Sequence, residues 1–309
     1  MLKSYNFKGK SFAVYGLGLT GKSVVNFLKK NKVNKIFIWD DNLYKHNYKL
    51  KKSFKEKLND VNYIILSPGI NIKKIKLKKI LLKNKKKIIT DLDLFFLKNK
   101  VKKSIVVTGT NGKSTTCSLI HHILKKNRIK NKLAGNIGKP ILKLKFDKNF
   151  VYVIEASSFQ LEYSKFIKPY CAAILNISQD HLDWHGSKKN YIMSKMKIFN
   201  NQTKNDIAFL NDINLKKIYK RKNFQGNLKF IKNNTVEFED SLNKYLRLDA
   251  NKDNVTFAYY ITKFFKINKR NFLKSLESFN GLSHRHEMFL KLGKNIFIND
   301  SKATSFEST

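Results

Sequence analysis

The chain has 309 residues, long enough for two domains and part of a third, and its 42% hydrophobic content with 24 phenylalanines fills real cores rather than a disordered coil. A formal net charge of +41 would ordinarily raise nucleic acid as a partner. The excess is nearly all lysine, spread through every segment around only Arg128, Arg221, Arg247, Arg270 and Arg285; with no aromatic-basic recognition motif beside it, it reads as solvated surface and no nucleic-acid partner is expected.

Early lysines followed by SFAVYGLGLTG imitate a signal peptide, but the apolar part is short and glycine-broken, which suits a strand entering a turn. Ser11–Tyr15 is that strand, GLGLTG (Gly16–Gly21) the turn, Lys22–Lys30 a helix, and Lys35–Trp39 a second strand ending at Asp40-Asp41. Strand, glycine turn, helix, strand and terminal acid make one βαβ unit of a parallel sheet. Further strands are expected at Tyr63–Leu66, stopped by Ser67-Pro68-Gly69-Ile70, and at Lys85–Ile89, ending at Thr90-Asp91. The first domain therefore closes near residue 95. Its turns fall where ligands of such sheets bind, beyond the carboxyl ends of the strands.

Ser104–Val107 opens a second α/β unit, followed by VVTGTNGKSTT and a helix from Lys113 to about Lys126. Val151–Ile154 and Ala172–Leu175 read as core strands ending in Glu155-Ala156-Ser157-Ser158 and Asn176-Ile177-Ser178-Gln179-Asp180-His181. Residues 203–250 read as polar, strand-like and weakly patterned. Asn254–Phe265 and Lys269–Phe279 read as helices, and Ile296–Ile298 as a last strand with no sheet to join. Cys117 and Cys171 form no C-x-x-C pair, and no apolar run reaches the ~20 residues of a membrane span, so a reduced cytoplasmic protein is expected.

Two loops carry chemistry. Gly16, Gly18 and Gly21 complete G-x-G-x-x-G between a strand and a helix, where backbone N–H groups reach a pyrophosphate at the helix N-terminus. Gly112-Lys113-Ser114 supplies the G-K-S of a phosphate loop, although Val107 stands where the leading glycine usually does. Lys113 can reach β/γ-phosphates and the Ser114 hydroxyl can hold Mg²⁺. Glu155 and His181 each lie just past a core strand and can face the same metal. His181 and His185, at i and i+4, also invite zinc, but no H-E-x-x-H or cysteine cluster supports it.

The segments GTNGKST, GNIG (Gly135–Gly138), EASSFQLE (Glu155–Glu162), NISQDHLDWH, HRHE (His284–Glu287) and NDSKAT (Asn299–Thr304) resemble the Mur ligases of peptidoglycan synthesis. SPGI, DLDLF, SSFQLE and NDSKAT resemble the branch that joins D-glutamate to UDP-N-acetylmuramoyl-L-alanine. The resemblance implies an α/β protein with three parts. Residues 1–95 would form a Rossmann-like UDP-sugar-binding domain, 96–284 a central P-loop-type ATP-binding domain, and 285–309 the start of a third, Rossmann-like ligase domain. It implies ATP and Mg²⁺ as cofactors, a monomer, and an acyl-phosphate mechanism.

By the same resemblance, Gly18, Leu19, Thr20, Asp40, Ser67, Gly69 and Asn136 bind the UDP-sugar. Gly109, Thr110, Asn111, Gly112, Lys113, Ser114 and Thr115 hold the ATP phosphates. Asn251 and Asn254 lie on the adenine side, although Leu248 and Ala250 stand where that motif has Gly and His. Arg285 and Asp300 contact ATP at the hinge. Ser114, Glu155, His181 and Lys195 hold metal, the last as a carbamate. Lys302 and Thr304 serve the transferred phosphate and the incoming glutamate. Lys113, Lys195, His181 and Lys302 are the implied catalytic set. Because a family third domain runs on the order of a hundred residues, amide formation by residues 1–309 alone is not expected, and the 286–309 tail should be mobile. The alternatives are another Mur or folylpolyglutamate-type ligase, or an inactive nucleotide-binding fragment.

Overall fold

The computed structural model describes residues 5–99, 101–232, 242–285 and 287–302. The first sheet collects β1 (Ser11–Tyr15), β2 (Lys35–Trp39), β3 (Tyr63–Leu66) and β4 (Ile88–Ile89), with helices α1 (Leu19–Lys30), α2 (Tyr48–Lys57), α3 (Lys78–Lys83) and α4 (Asp91–Lys98) between and after them. All four strands are parallel, in the order β2-β1-β3-β4. Strand order reverses between β1 and β3, so the crevice beyond their ends lies between Gly16 and Ser67. Phe12, Val14 and Ile65 pack on one face of this sheet, and Ala13, Tyr15, Ile64 and Leu66 on the other. That strict alternation is what a strand buried on both sides requires.

The second sheet has six parallel strands in the order β10-β9-β8-β5-β7-β6. It is built from β5 (Ser104–Thr108), α5 (Lys113–Lys126), β6 (Asn131–Gly135), β7 (Val151–Glu155), α6 (Ser158–Tyr163), β8 (Cys171–Ile174), α7 (Leu182–His185), α8 (Lys188–Met196), β9 (Ile207–Leu210), α9 (Ile213–Arg221), β10 (Asn227–Phe230), α10 (Asp249–Lys263) and α11 (Lys269–Leu276). β5 lies between β7 and β8, so the loop after it is flanked by the ends of both. Ile105 and Val107 face the cluster under α5 and α10, while Val106, Ile154 and Ala172 face the other side. Cys117 and Cys171 are free, buried thiols in the first of these layers. The last described elements, β11 (Glu287–Leu292) and β12 (Asn295–Asn299), form an antiparallel hairpin whose Phe289 and Ile298 side chains are about 60% exposed.

Several sequence expectations need correction. Of Lys85–Ile89 only the two isoleucines are strand, paired with Ile64 and Ile65; Lys85–Lys87 coil into a 3-10 turn that keeps three cations in water. The 203–250 region is not strand-like throughout, since Ile213–Arg221 is a helix capped by Asp212, whose carboxylate accepts from the Leu215 amide at 2.8 Å. α10 starts at Asp249, not Asn254, because its first turn is polar and hides the apolar period. The last strand is not solitary: Glu287–Leu292 pairs with it.

The two sheets dock through α4 and the loops around it. Thr90 and Asp93 form a capping box, and Thr90 Oγ1 meets Ser164 Oγ at 2.8 Å. Asp93 Oδ1 accepts from the Lys165 and Phe166 amides at 2.9 and 2.7 Å, and Gln160 Nε2 donates to Asp91 at 3.2 Å. Burial raises both carboxyls, Asp93 to about 6. Lys73 Nζ donates to the His185 carbonyl at 3.0 Å on the same seam. Among the described residues no helix is long and apolar enough to cross a membrane.

Candidate nucleotide and metal site

The first glycine loop is compact for steric reasons. Gly16 has φ +92°, and a β-carbon on Gly21 would lie 1.8 Å from the Gly16 carbonyl oxygen. Ser67 Oγ donates to that oxygen at 2.8 Å, joining the ends of β1 and β3. Asp40 Oδ2 accepts from the Leu17 amide at 2.7 Å, and Oδ1 from the Asn42 and Leu43 amides; the Leu17 bond leads in holding its carboxyl below the usual range. Gly18 caps α1 with open space around its α-carbon, Leu19 is 72% exposed, Thr20 is half-buried and Gly69 exposed. Gly18, Leu19, Thr20, Asp40, Ser67 and Gly69 thus surround one crevice mouth. Asn136 stands apart from them, on the second sheet.

The second loop is braced from three sides. Asn176, at the end of β8, accepts on Oδ1 from the Thr110 and Asn111 amides at 3.1 and 2.8 Å. Its own amide donates to the Asn111 carbonyl at 3.2 Å. Buried Tyr191 meets Thr110 Oγ1 at 3.1 Å through its hydroxyl. Gly112 takes φ +79° so that Lys113 can begin α5. The first-turn amides of α5 have no intrahelical acceptor, as at any helix start, and face outward as an anion seat.

Three cations and one carboxylate line this seat. Lys113 Nζ donates to the Gly109 and Thr110 carbonyls at 3.0 and 2.7 Å. Burial pulls its pKa down, with Glu155 opposing and Arg285 adding to the fall. Lys195 Nζ, almost wholly buried, donates to the Gly109 carbonyl at 2.7 Å and to Thr108 Oγ1 at 3.4 Å, and sits 4.6 Å from the Tyr191 ring centre. Burial drives its pKa well down, reinforced by Lys113. Glu155 is buried at the end of β7, with Oε2 accepting from Ser114 Oγ at 2.8 Å and Oε1 from Asn136 Nδ2 at 2.9 Å. Arg285 Nη2 reaches Ser114 Oγ at 3.4 Å.

The structure therefore brings Lys113, Ser114, Glu155, Lys195, Asn136 and Arg285 around Gly109–Thr115. It leaves other expected residues farther out in the bonding network. His181, in a left-handed turn, lies against Phe159 at 4.7 Å between ring centres and 3.3 Å from Asp180 Oδ1. Buried His185 pairs instead with Ser158 Oγ at 3.0 Å. Asn251 and Asn254 are buried behind the loop. Asp300 is half-buried and acts on Tyr245, as Arg285 does. Lys302 is exposed, its amide bonded to the His284 carbonyl, and Thr304 lies outside the described residues. Asn176 and Tyr191 were missed by sequence reasoning; the polar run closing β8 was the available signal for Asn176.

Metal fit follows from the donor set. Glu155 and Ser114 are hard oxygen donors buried together, and no cluster of three His, Cys, Asp or Glu side chains exists among the described residues. One carboxylate plus a hydroxyl is too few for a protein cage, but matches Mg²⁺, which takes few protein ligands alongside substrate phosphates and water.

Comparison with known proteins supplies the family. The family description "Mur ligase middle domain" matches residues 107–274, and "Mur ligase MurD-like, N-terminal domain" matches 10–89. The chain is 35% identical to the UDP-N-acetylmuramoylalanine–D-glutamate ligase of Rickettsia prowazekii over 97% of its own length and 73% of that protein's. It is 31% identical to the ligase of the same name from Wolbachia pipientis wMel, over 98% and 75%. Among solved structures, the UDP-N-acetylmuramate-alanine ligase MurC of Thermotoga maritima aligns with TM-score 0.53 and 19% identity, covering 94% of this chain and 74% of that one. The MurF ligase of Thermotoga maritima, solved in complex with ADP, aligns with TM-score 0.55 and 15% identity, over 97% and 70%.

Proposed function

The chain belongs to the Mur ligase family of ATP-dependent amide-forming ligases, and on that premise we propose that it activates UDP-N-acetylmuramoyl-L-alanine with ATP for attack by D-glutamate in cytoplasmic peptidoglycan precursor synthesis. A carboxylate oxygen of the alanyl group attacks the γ-phosphorus and ADP leaves, giving an acyl phosphate. The glutamate amine then adds to the acyl carbon, phosphate departs, and the nitrogen gives up a proton. Catalysis is positioning and charge neutralisation. The first-turn amides of α5 and Lys113 take the phosphates, and Asn176 and Tyr191 keep the loop in shape for them.

Ser114 and Glu155 would hold Mg²⁺, which supplies charge neutralisation on the phosphate oxygens. Lys195 is the candidate carbamate: its ammonium gives up one proton, the freed nitrogen lone pair adds to CO₂ and a second proton is lost, converting a buried cation beside Lys113 into an anion. That exchange relieves the repulsion between the two ammonium groups, and His181 would complete a second metal position. Gly18, Leu19, Thr20, Asp40, Ser67 and Gly69 form the UDP crevice, with Asn136 reaching the sugar from the ATP side. Residues 1–95, 96–284 and 285–309 are the corresponding domain divisions. Arg285, Asp300, Lys302 and Thr304 serve the ATP and glutamate side.

The observation that carries this reading is the buried Ser114–Glu155 bond at the mouth of a phosphate loop. The test is hydroxylamine trapping. Purified protein given UDP-N-acetylmuramoyl-L-alanine and Mg·ATP should release ADP and yield the alanyl hydroxamate. No hydroxamate at saturating substrates would remove the proposal.

A further inference from the structure

The helical turn that follows His181 is too short to hold itself. α7 has four residues, far fewer than an isolated helix needs. Two left-handed residues enclose it, His181 at φ +52° and Gly186 at φ +80°. The closing carbonyls of such a turn need donors from elsewhere. Two of those donors come from the first domain. Lys73 Nζ donates to the His185 carbonyl at 3.0 Å, and Asn71 Nδ2 reaches the Trp184 carbonyl at 3.4 Å. A β-carbon on Gly186 would lie 2.8 Å from Lys73 Nζ, so the ammonium is seated on the residue that ends the turn. The second domain adds Asn190 Nδ2, 3.0 Å from the same His185 carbonyl. The Lys74–Asp183 pair at 3.5 Å is exposed on both sides and counts for little.

Asn71 also aims the lysine. It is buried, and its Oδ1 accepts from the Lys73 amide at 2.9 Å, starting the 3-10 turn Ile72–Lys74. Its orientation follows from its partners, since the oxygen meets an N–H and the nitrogen a carbonyl. Ile72 is buried in the core of the first sheet, which anchors the turn. The same strap begins at Ser67, whose hydroxyl donates to the Gly16 carbonyl at 2.8 Å. One segment, 67–74, thus borders the first glycine loop at one end and closes the His181 turn at the other. On the far side of that turn, the Ser178 amide donates to Thr110 Oγ1 at 3.0 Å, in the phosphate loop. We propose that Lys73, aimed by Asn71, is a positioning residue for His181, closing α7 from the first domain and so setting the turn that carries this side chain. The proposal rests on the acyl-phosphate reading of the site.

The test joins a spectroscopic readout to a kinetic one. The chain has two tryptophans, Trp39 and Trp184, so 5-fluorotryptophan labelling gives two ¹⁹F lines, with Trp184 assigned from Trp184→Phe. Lys73→Met should shift or broaden the Trp184 line and leave the Trp39 line in place. It should lower the kcat of hydroxamate formation on the order of fivefold while calorimetry shows unchanged affinity for UDP. Lys73→Arg, which keeps the cation and a donor, should restore most of the rate. In a His181→Ala background, Lys73→Met should cost nothing further, because the residue it positions is gone. An unmoved Trp184 line, or a moved line with full kcat, overturns the proposal. So does the same loss with and without His181, which marks a merely structural lysine. A wild type that forms no hydroxamate refutes the acyl-phosphate reading and the catalytic part of the proposal with it, while the ¹⁹F line still decides whether Lys73 holds the turn.

Discussion

Ser114 and Glu155 meet across 2.8 Å, hydroxyl oxygen to carboxylate oxygen with the hydroxyl donating, tying the first turn of α5 to the end of β7. The other carboxylate oxygen is held by Asn136 at 2.9 Å, so Glu155 is oriented from both sides. Glu155→Gln keeps the shape and removes the charge. It should weaken Mg·ATP binding by about tenfold or more while leaving metal-free ATP as tight as before, because phosphates gain nothing from a neighbouring anion. Calorimetry with and without EDTA checks this; an equal loss in both conditions would remove Glu155 from the metal site.

Lys113 hydrogen bonds to two carbonyls of its own loop and to no residue of the first sheet. Lys113→Ala should therefore abolish Mg·ATP binding and spare the UDP-sugar, whose proposed crevice lies at Gly16–Thr20, Asp40 and Ser67–Gly69. Calorimetric titration with each ligand separates the two loops, and unchanged ATP affinity would refute the assignment.

The glycines of the first loop differ sharply in what a methyl group would meet. Gly21→Ala puts a β-carbon 1.8 Å from the Gly16 carbonyl oxygen and should unfold or grossly destabilise the first sheet. Gly18 has φ −64° and nothing within 4 Å. Gly18→Ala should leave the melting temperature unchanged or raised, by the roughly 0.4–1 kcal/mol that a compatible Gly→Ala change gives, yet weaken UDP-sugar binding where backbone and pyrophosphate must approach. A Gly18→Ala protein with full UDP-sugar affinity would show that no ligand comes so close.

What the sequence made legible was local. Strict burial on both faces of β1, β3, β5 and β7 produces continuous apolar runs, and the two glycine loops announce themselves by spacing. The helix at Ile213–Arg221 and the strand at Glu287–Leu292 were not legible. The first alternates lysine with scattered apolar residues, and the second pairs with a partner rather than burying a face. In the site, Lys113 and Ser114 could be read from type and position. The bracing by Asn176 and Tyr191 could not, because it depends on contacts between residues 65 and 81 positions apart.

Lys195 is a buried ammonium bonded to the Gly109 carbonyl and the Thr108 hydroxyl. If it takes up CO₂, protein equilibrated with ¹³C-bicarbonate should show a carbamate carbon resonance that Lys195→Ala lacks. The variant should lose nearly all hydroxamate formation, with partial rescue by a short carboxylic acid that replaces the missing oxygens. A wild-type spectrum without the resonance, together with full activity of the variant, would reduce Lys195 to a packing residue.

His185 is buried on the seam between the two sheets, bonded through Nε2 to Ser158 and through its carbonyl to Lys73. Burial first, then Lys195, His181, Lys73 and Lys197, lowers its pKa from 6.5 to about 4. The fold thus favours the neutral ring. Its contribution to stability is complete above pH 6.5 and is lost as pH falls from there through about 4, while the unfolded chain binds the proton that the folded one refuses. Asp93 on the same seam works in the opposite sense: burial raises its carboxyl to about 6, so its fold-favoured protonated form adds stability as pH falls through that value. The two effects overlap, and the wild-type curve alone does not separate them. Urea unfolding of wild type and His185→Gln between about pH 7.5 and pH 4.5 does, since glutamine keeps a partner for Ser158 but does not titrate. Wild type should lose more stability across that interval than the variant, and Asp93→Asn should steepen the loss. Parallel curves for wild type and His185→Gln would show that the ring titrates alike in the folded and unfolded chain and contributes nothing to the pH dependence.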